Sequence, residues 1–317
     1  MKNMCIWTMV AVALVVSACS SSPPTGTGGA GGQGPSVTTW ELPVVFDVAP
    51  GEEVQYVDMP FAVADDAAIV AIRSLPSEGV HHVVGWDTSL FPFAQPGPFV
   101  DPNLTINLAV PFFVSGTTAA EIHVPAGWAY PIKTGGQITV QAHLLSATSS
   151  PITATAKLQL DLADNPQDFK PVAATGMENK AISIPAGAAG HVEHMECAFP
   201  LALGSPYAVY PHAHRYAKWM RVSMRKGGDP AKEQVIHDGA WDFDDQPIYQ
   251  LDPDAMSIDV GDVLVLDCTY DNPTPNTLVR GESSNEEMCA AVVLLIGGDA
   301  APGDQLALHG CISGNAF

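Results

Sequence analysis

The sequence predicts an all-β chain built as two tandem antiparallel β-sandwiches of jelly-roll type, and three observations carry that expectation. Charged residues make up only 15 % of the 317 residues, while Gly (28) and Pro (27) are frequent. That composition disfavours long helices and favours short strands joined by turns. From Trp40 onward, short alternating or apolar segments recur between Gly/Pro-rich turns, the mark of strands rather than helices. A hydrophobic fraction of 47 % supplies a full core, and the length exceeds what one β-domain holds comfortably, so two domains are expected.

Taken in order, residues 1–18 read as a lipoprotein signal peptide. Lys2 precedes the apolar run CIWTMVAVALVV, which is too short to span a bilayer permanently. The run ends in VSAC at 16–19, similar to a bacterial lipobox, which implies cleavage before Cys19 and lipidation of its thiol. Residues 19–38, rich in Ser, Gly and Pro, read as a flexible tether. The expected location is therefore the bacterial cell envelope, anchored by lipid at Cys19, with Ser20 favouring the outer membrane.

Residues 39–165 read as the N-terminal sandwich, with strand-like segments EVQYVDM, AIVAIRSL, HHVVGW, TINLAVPFFV, QITVQAHLL and TATAKLQLDL. A polar passage at 161–171 interrupts the series. Residues 166–317 read as a second sandwich, with AISIPAG, AVYPHAHRYAKWMRVSM, QPIYQL, DVLVLDCTY and MCAAVVLLI. The formal charge of −21 leaves no basic stripe to displace counterions from phosphates, so nucleic acid is excluded as a partner. A small molecule is the expected ligand, the membrane is met only through the anchor, and a monomer is expected.

Cysteine use fits an oxidising compartment. Beyond Cys5 and Cys19, the folded part keeps Cys197, Cys268, Cys289 and Cys311, an even number that reads as two disulfides with three connectivities open.

Three histidine features and one methionine carry the chemistry. His81 and His82 are adjacent, and a regular strand would point them to opposite faces, so they share a metal only at a strand end or bulge. His143 closes QITVQAH, where Thr139, Gln141 and His143 take one face. His212 and His214 form H-x-H, which puts both imidazoles on the same side of a strand. In NEEMCAAVVLL, alternation sends Met288, Ala290 and Val292 to one face and Cys289, Ala291 and Val293 to the other.

In order and approximate spacing, HHVVGW, VQAHLL, PHAHRYAKWMRV and GESSNEEMCAAVVLL resemble the copper motifs of the type II ascorbate-dependent monooxygenase family, which includes the peptidylglycine α-hydroxylating and dopamine β-monooxygenases. The resemblance spans nearly the whole mature chain. It implies two coppers per chain, in independent sites: an electron-transfer copper on His81, His82 and His143, and an oxygen-binding copper on His212, His214 and Met288. It also implies the pairings Cys268–Cys289 and Cys197–Cys311. The implied reaction hydroxylates a C–H bond, with O2 as oxidant and ascorbate or another one-electron reductant as co-substrate.

The ligand chemistry agrees, since imidazole serves both Cu(I) and Cu(II) whereas a thioether favours Cu(I). Where the peptide-amidating members grip a carboxylate with Arg, Asn and Tyr, this sequence has Tyr210, Ala290 and Val292. A neutral or aromatic substrate is expected instead, with those three residues in its pocket. The alternative function is a copper-binding lipoprotein that buffers or delivers metal without turnover. His191 and His194, in HVEHMEC, are separated by strand alternation, and His123, His237 and His309 have no sequence partner.

Overall fold

The computed structural model describes residues 37–94, 97–100, 110–299, 311–312 and 315–316. The signal, Cys19, nearly all of the tether and His309 lie outside the described residues. Two β-sandwiches follow one another along the chain, as the composition predicts.

In the first, one sheet orders Val37–Val48, Ile152–Ala163, Ala67–Pro76, Trp128–Ile132 and Lys170–Pro171, with Ala120–His123 also on Ala67–Pro76. The facing sheet orders Phe99–Val100, Glu53–Ala62, Gln137–Leu145, Val80–Asp87 and Val110–Ser115. The Ile152–Ala163 strand shows why the sheets close. Ala154, Ala156, Leu158, Leu160 and Leu162 are buried at every second position, and burying each leucine is worth about 1.5–3 kcal/mol. Val37 and Thr38, assigned to the tether by composition, are already paired with Ala163 and Leu162.

In the second sandwich, one sheet orders Tyr249–Gln250, Gly204–Ala213, Cys289–Gly297, Ala173–Glu178, Cys311–Ile312 and Asn315–Ala316. The other orders His191–Ala198, Val263–Tyr270, Ala217–Arg225 and Glu233–Ala240. Val209, Val293 and Leu295 meet Met220, Val222, Leu264 and Leu266 in the core between them. The disulfides Cys268–Cys289 and Cys197–Cys311 each join one sheet to the other, with Cα–Cα distances of 5.9 Å in both. Most pairings are antiparallel, but Lys170–Pro171 on Trp128–Ile132 and Ala173–Glu178 on Cys311–Ile312 are parallel.

The segment 208–224, read as continuous strand, breaks between Ala213 and Ala217. Its backbone is diverted there: Glu287 accepts from the N–H groups of His214 (3.1 Å) and Tyr216 (2.6 Å), drawing those donors out of the ladder.

The sandwiches meet through one sheet of each. Val84 and Val114 of the first pack with Tyr210 of the second, flanked by Trp86, Ile248 and Val292. Residues of the second half, including Tyr207, Ala208 and Leu294, join the first core.

Candidate metal centre

His81, His82 and His143 converge, with candidate ligand nitrogens all within 4.8 Å of one another. The local cause is a bulge. His82 lies directly across from His143, and the register between their strands shifts between Val80 and His82, so His81 falls at the irregularity and both neighbours can turn inward. His81 Nδ1 and His82 Nδ1 are 3.3 Å apart, a spacing that suits two nitrogens each about 2 Å from one metal.

Hydrogen bonds decide which nitrogen each ring offers. The Phe243 carbonyl only accepts, so His81 Nε2–H donates to it (3.1 Å) and Nδ1 keeps its lone pair. His143 Nε2 donates to Glu53 Oε1 (3.0 Å), leaving its Nδ1 as well. That contact holds the Glu53 carboxyl down at about 2, with further help from the Ser284 N–H. Burial, reinforced by the neighbouring imidazoles, pushes His81 down to about 3 and His82 well below the usual histidine range. Neutral imidazole is the metal-binding form.

The second group is built differently. His212 lies on the Gly204–Ala213 strand and His214 just past its end, with ring centroids 5.4 Å apart. His214 Nδ1 donates to the Glu286 carbonyl (3.2 Å) and His212 Nδ1 to Gln246 Oε1 (2.9 Å). The Gln246 amide is oriented by its own Nε2 donating to the Phe243 carbonyl (3.0 Å). These rings therefore present Nε2, the opposite nitrogen to that offered by His81 and His143. Burial lowers His212 to about 4 and His214 to about 3. Met288 is buried just before its strand and faces the cavity, while Cys289 enters the disulfide on the other face.

The two groups are not separate. His82 and His212 stand edge to face with centroids 5.4 Å apart. The sequence motifs suggested independent sites on two domains. The contact brings them together because each lies on the sheet its sandwich turns toward the other.

A cavity of about 260 Å³ opens where they meet. Period-two rows line it: His82, Val84 and Trp86; Tyr210 and His212; Met288, Ala290 and Val292. Tyr210, Ala290 and Val292 are thus wall residues. The cationic side chains at its edge are engaged, Arg280 with Glu178 (2.8 Å) and with Glu282, and Lys180 with Glu178 (3.5 Å).

Sequence reasoning missed Glu53, Phe243 and Gln246, which orient the ligands from far along the chain. Thr139, Gln141 and His143, placed on one face by alternation, are all buried. His191 and His194 do not converge: His191 contacts Glu193, and His194 is bracketed by Asp267 and Glu196.

Residues 177–315 match the family described as copper type II ascorbate-dependent monooxygenase, C-terminal domain. Over this span the chain is similar to the copper type II ascorbate-dependent monooxygenases. The matched span contains His212, His214, Met288 and all four disulfide cysteines, while the first histidine triad precedes it. The side of the cavity that carries the methionine thus comes from the span that matches a copper- and ascorbate-dependent family. No curated protein matches the chain.

Among solved structures, the broad bean stain virus particle is similar at 9 % identity and a TM-score of 0.37, covering 87 % of this chain and 91 % of that one. PNGase F, a glycosylasparaginase from Flavobacterium meningosepticum, is similar at 9 % identity and 0.37, covering 81 % and 95 %. At these scores the likenesses decide neither fold nor function.

The donor set fits copper. Imidazoles suit several transition metals, but a thioether beside them selects for Cu(I), and hydrogen bonds already hold most of these rings in a ligating tautomer.

Proposed function

We propose that the chain is a monooxygenase that holds two coppers and hydroxylates a C–H bond of a small neutral or aromatic substrate. One observation carries the reading: a single cavity is lined at once by His82 of the first triad, by His212 and Met288 of the second, and by an apolar wall. The net reaction takes R–H, O2, two electrons and two protons to R–OH and water. Ascorbate or another one-electron reductant supplies the electrons. Copper, when bound, supplies O2 reduction and one-electron transfer.

The chain's own residues do the rest. His81, His82 and His143 would hold the electron-transfer metal, and His212, His214 and Met288 the oxygen-binding one. Val84, Trp86, Tyr210, Ala290 and Val292 would keep water from the reacting carbon and seat an apolar body. With Arg280 and Lys180 already paired to glutamates, a substrate carboxylate would find no ready bidentate partner. The chain would act as a monomer, exported and anchored by lipid at Cys19.

The test is O2 consumption by copper-loaded soluble protein with ascorbate, across aromatic amines and other neutral candidates. Substrate-dependent uptake with formation of an alcohol is the expected result. Two bound coppers with no ascorbate-dependent uptake would overturn the proposal and leave metal buffering or delivery in its place.

A further inference from the structure

Between the Glu233–Ala240 and Tyr249–Gln250 strands, residues 241–248 cross from one sheet of the second sandwich to the other, and their apex leans on the first sandwich. Gly116 N–H donates to the Gln246 carbonyl (2.9 Å), Thr117 Oγ1 donates to the Asp244 carbonyl, and Thr118 Oγ1 donates to Asp245 (3.1 Å). A Cβ at position 116 would stand 2.7 Å from the Gln246 backbone nitrogen and Cβ, so only glycine admits this approach.

The crossing segment touches both triads. The Phe243 carbonyl accepts from His81 Nε2 (3.1 Å) and from Gln246 Nε2 (3.0 Å). Gln246 Oε1 accepts from His212 Nδ1 (2.9 Å) and from the Tyr210 hydroxyl (2.9 Å). The Phe243 ring lies on His81 with centroids 4.1 Å apart, and Trp241 Nε1 donates to the His214 carbonyl (3.0 Å). An unbroken chain of hydrogen bonds therefore runs from His81 through the Phe243 carbonyl and the Gln246 amide to His212. Gln246 is fully buried, so no water competes for its amide.

We infer that residues 241–248 are a coupling strap, with Gln246 the positioning residue through which the two triads set each other's geometry. Ordering His81 fixes the Phe243 carbonyl, which fixes the amide, which holds His212 as the Nδ1–H tautomer with Nε2 offered. Metal binding at one triad should then favour binding at the other, and the effect must be reciprocal. The inference rests on the proposed copper reading for its consequence, but the hydrogen-bonded link exists without metal.

The experiment places Gln246→Leu in two single-site backgrounds and measures Cu(I) affinity by competition with a chromophoric chelator. In His143→Ala, which leaves the second triad, loss of the direct contact should weaken binding about 10–100-fold. In His214→Ala, which leaves the first triad, binding should also weaken, by about 5-fold or more, although the Gln246 side chain touches none of its ligands. An unchanged first-triad affinity would overturn the inference. Gln246→Leu also frees His212, which stands against His82 but not against His81, so a response at the His81 ring is what separates the strap from that direct contact.

Phe243→Ala tests the link in reverse and should weaken the second triad in the His143→Ala background. It also serves if Gln246→Leu does not fold. In metal-free protein with 15N-labelled histidine, Gln246→Leu should shift the ring-nitrogen signals of His81 as well as those of His212. A shift at His212 alone sinks the coupling whether or not copper binds, whereas failure of every form to bind copper sinks the functional reading and leaves the labelled-histidine result to decide the strap.

Discussion

The two histidine groups solve the same problem by different means. The first is made within one sheet: His82 and His143 are cross-strand partners, and a bulge turns His81 to join them. The second is collected from a strand end and the start of a remote strand, and its methionine is secured by everything around it. Glu287 accepts from the His214 and Tyr216 backbones, the Tyr270 hydroxyl donates to the Met288 carbonyl (2.5 Å), and Cys289 is tied to Cys268. The first group has no disulfide beside it and relies on ladder register. A sheet can place three imidazoles cheaply, whereas bringing in a soft sulfur requires anchoring a second strand.

The largest expected effects come from removing a ligand of either group. Met288→Ile should abolish turnover while the first triad keeps its copper, and His143→Ala should empty the first triad with the same loss of turnover. Each loss should exceed the roughly 10–100-fold that outer-shell changes cost. Isoleucine keeps the volume and apolar character of methionine, so its folding cost should stay below about 1.5 kcal/mol. Elemental analysis and urea unfolding accompany the rate measurement. A folded, copper-loaded Met288→Ile protein with near wild-type turnover would remove the asymmetry between the groups.

The next effect treats both groups alike. His81, His82, His212 and His214 all have folded pKa values depressed by burial, so each is neutral when folded and takes up a proton on unfolding near pH 6.5. Their contribution is fully present above about pH 6.5 and is lost as pH falls toward the folded values of 3 to 4. At pH 5 the loss is about 2 kcal/mol for each of His81, His212 and His214. Metal-free protein should therefore show a urea midpoint that drops steeply below pH 6.5, and His212→Asn should flatten that slope by about one proton. An unchanged slope would mean that the ring is protonated in the fold.

How much of this was legible in the sequence follows from how far apart the partners lie. Period two alone gave the shared face of Met288, Ala290 and Val292, and the need for a bulge at His81 followed from two adjacent histidines. Copper motifs in the right order pointed to both groups. Glu53, Phe243 and Gln246 left no such signal, because Glu53 meets a histidine 90 positions away and Phe243 one 162 positions away. Their value lies in tertiary approach, not in pattern. The break at Ala213 was hidden for the same reason, since the carboxylate that causes it belongs to Glu287.

The smallest effect sharpens the comparison most, because it falls on a residue that links the sheet-built group to the methionine loop. Glu53 Oε1 accepts from His143 Nε2 (3.0 Å) and from the Ser284 N–H (2.9 Å), and Oε2 accepts from the Ser283 hydroxyl (3.3 Å). In Glu53→Gln the amide oxygen can keep the two shorter bonds, so geometry should change little and the charge alone is lost. A carboxylate behind an imidazole makes it a stronger donor, which favours Cu(II) over Cu(I). The variant should bind Cu(II) at the first triad about 10-fold more weakly. With Cu(I) affinity unchanged, the reduction potential should rise by about 59 mV for this one-electron couple. The second triad, whose rings are held by neutral acceptors, should keep its potential. A redox titration of copper-loaded protein reads both. A shift of similar size at both coppers would show that Glu53 acts through the Ser283–Met288 loop rather than through His143, and the two groups would then be tied by charge as well as by packing.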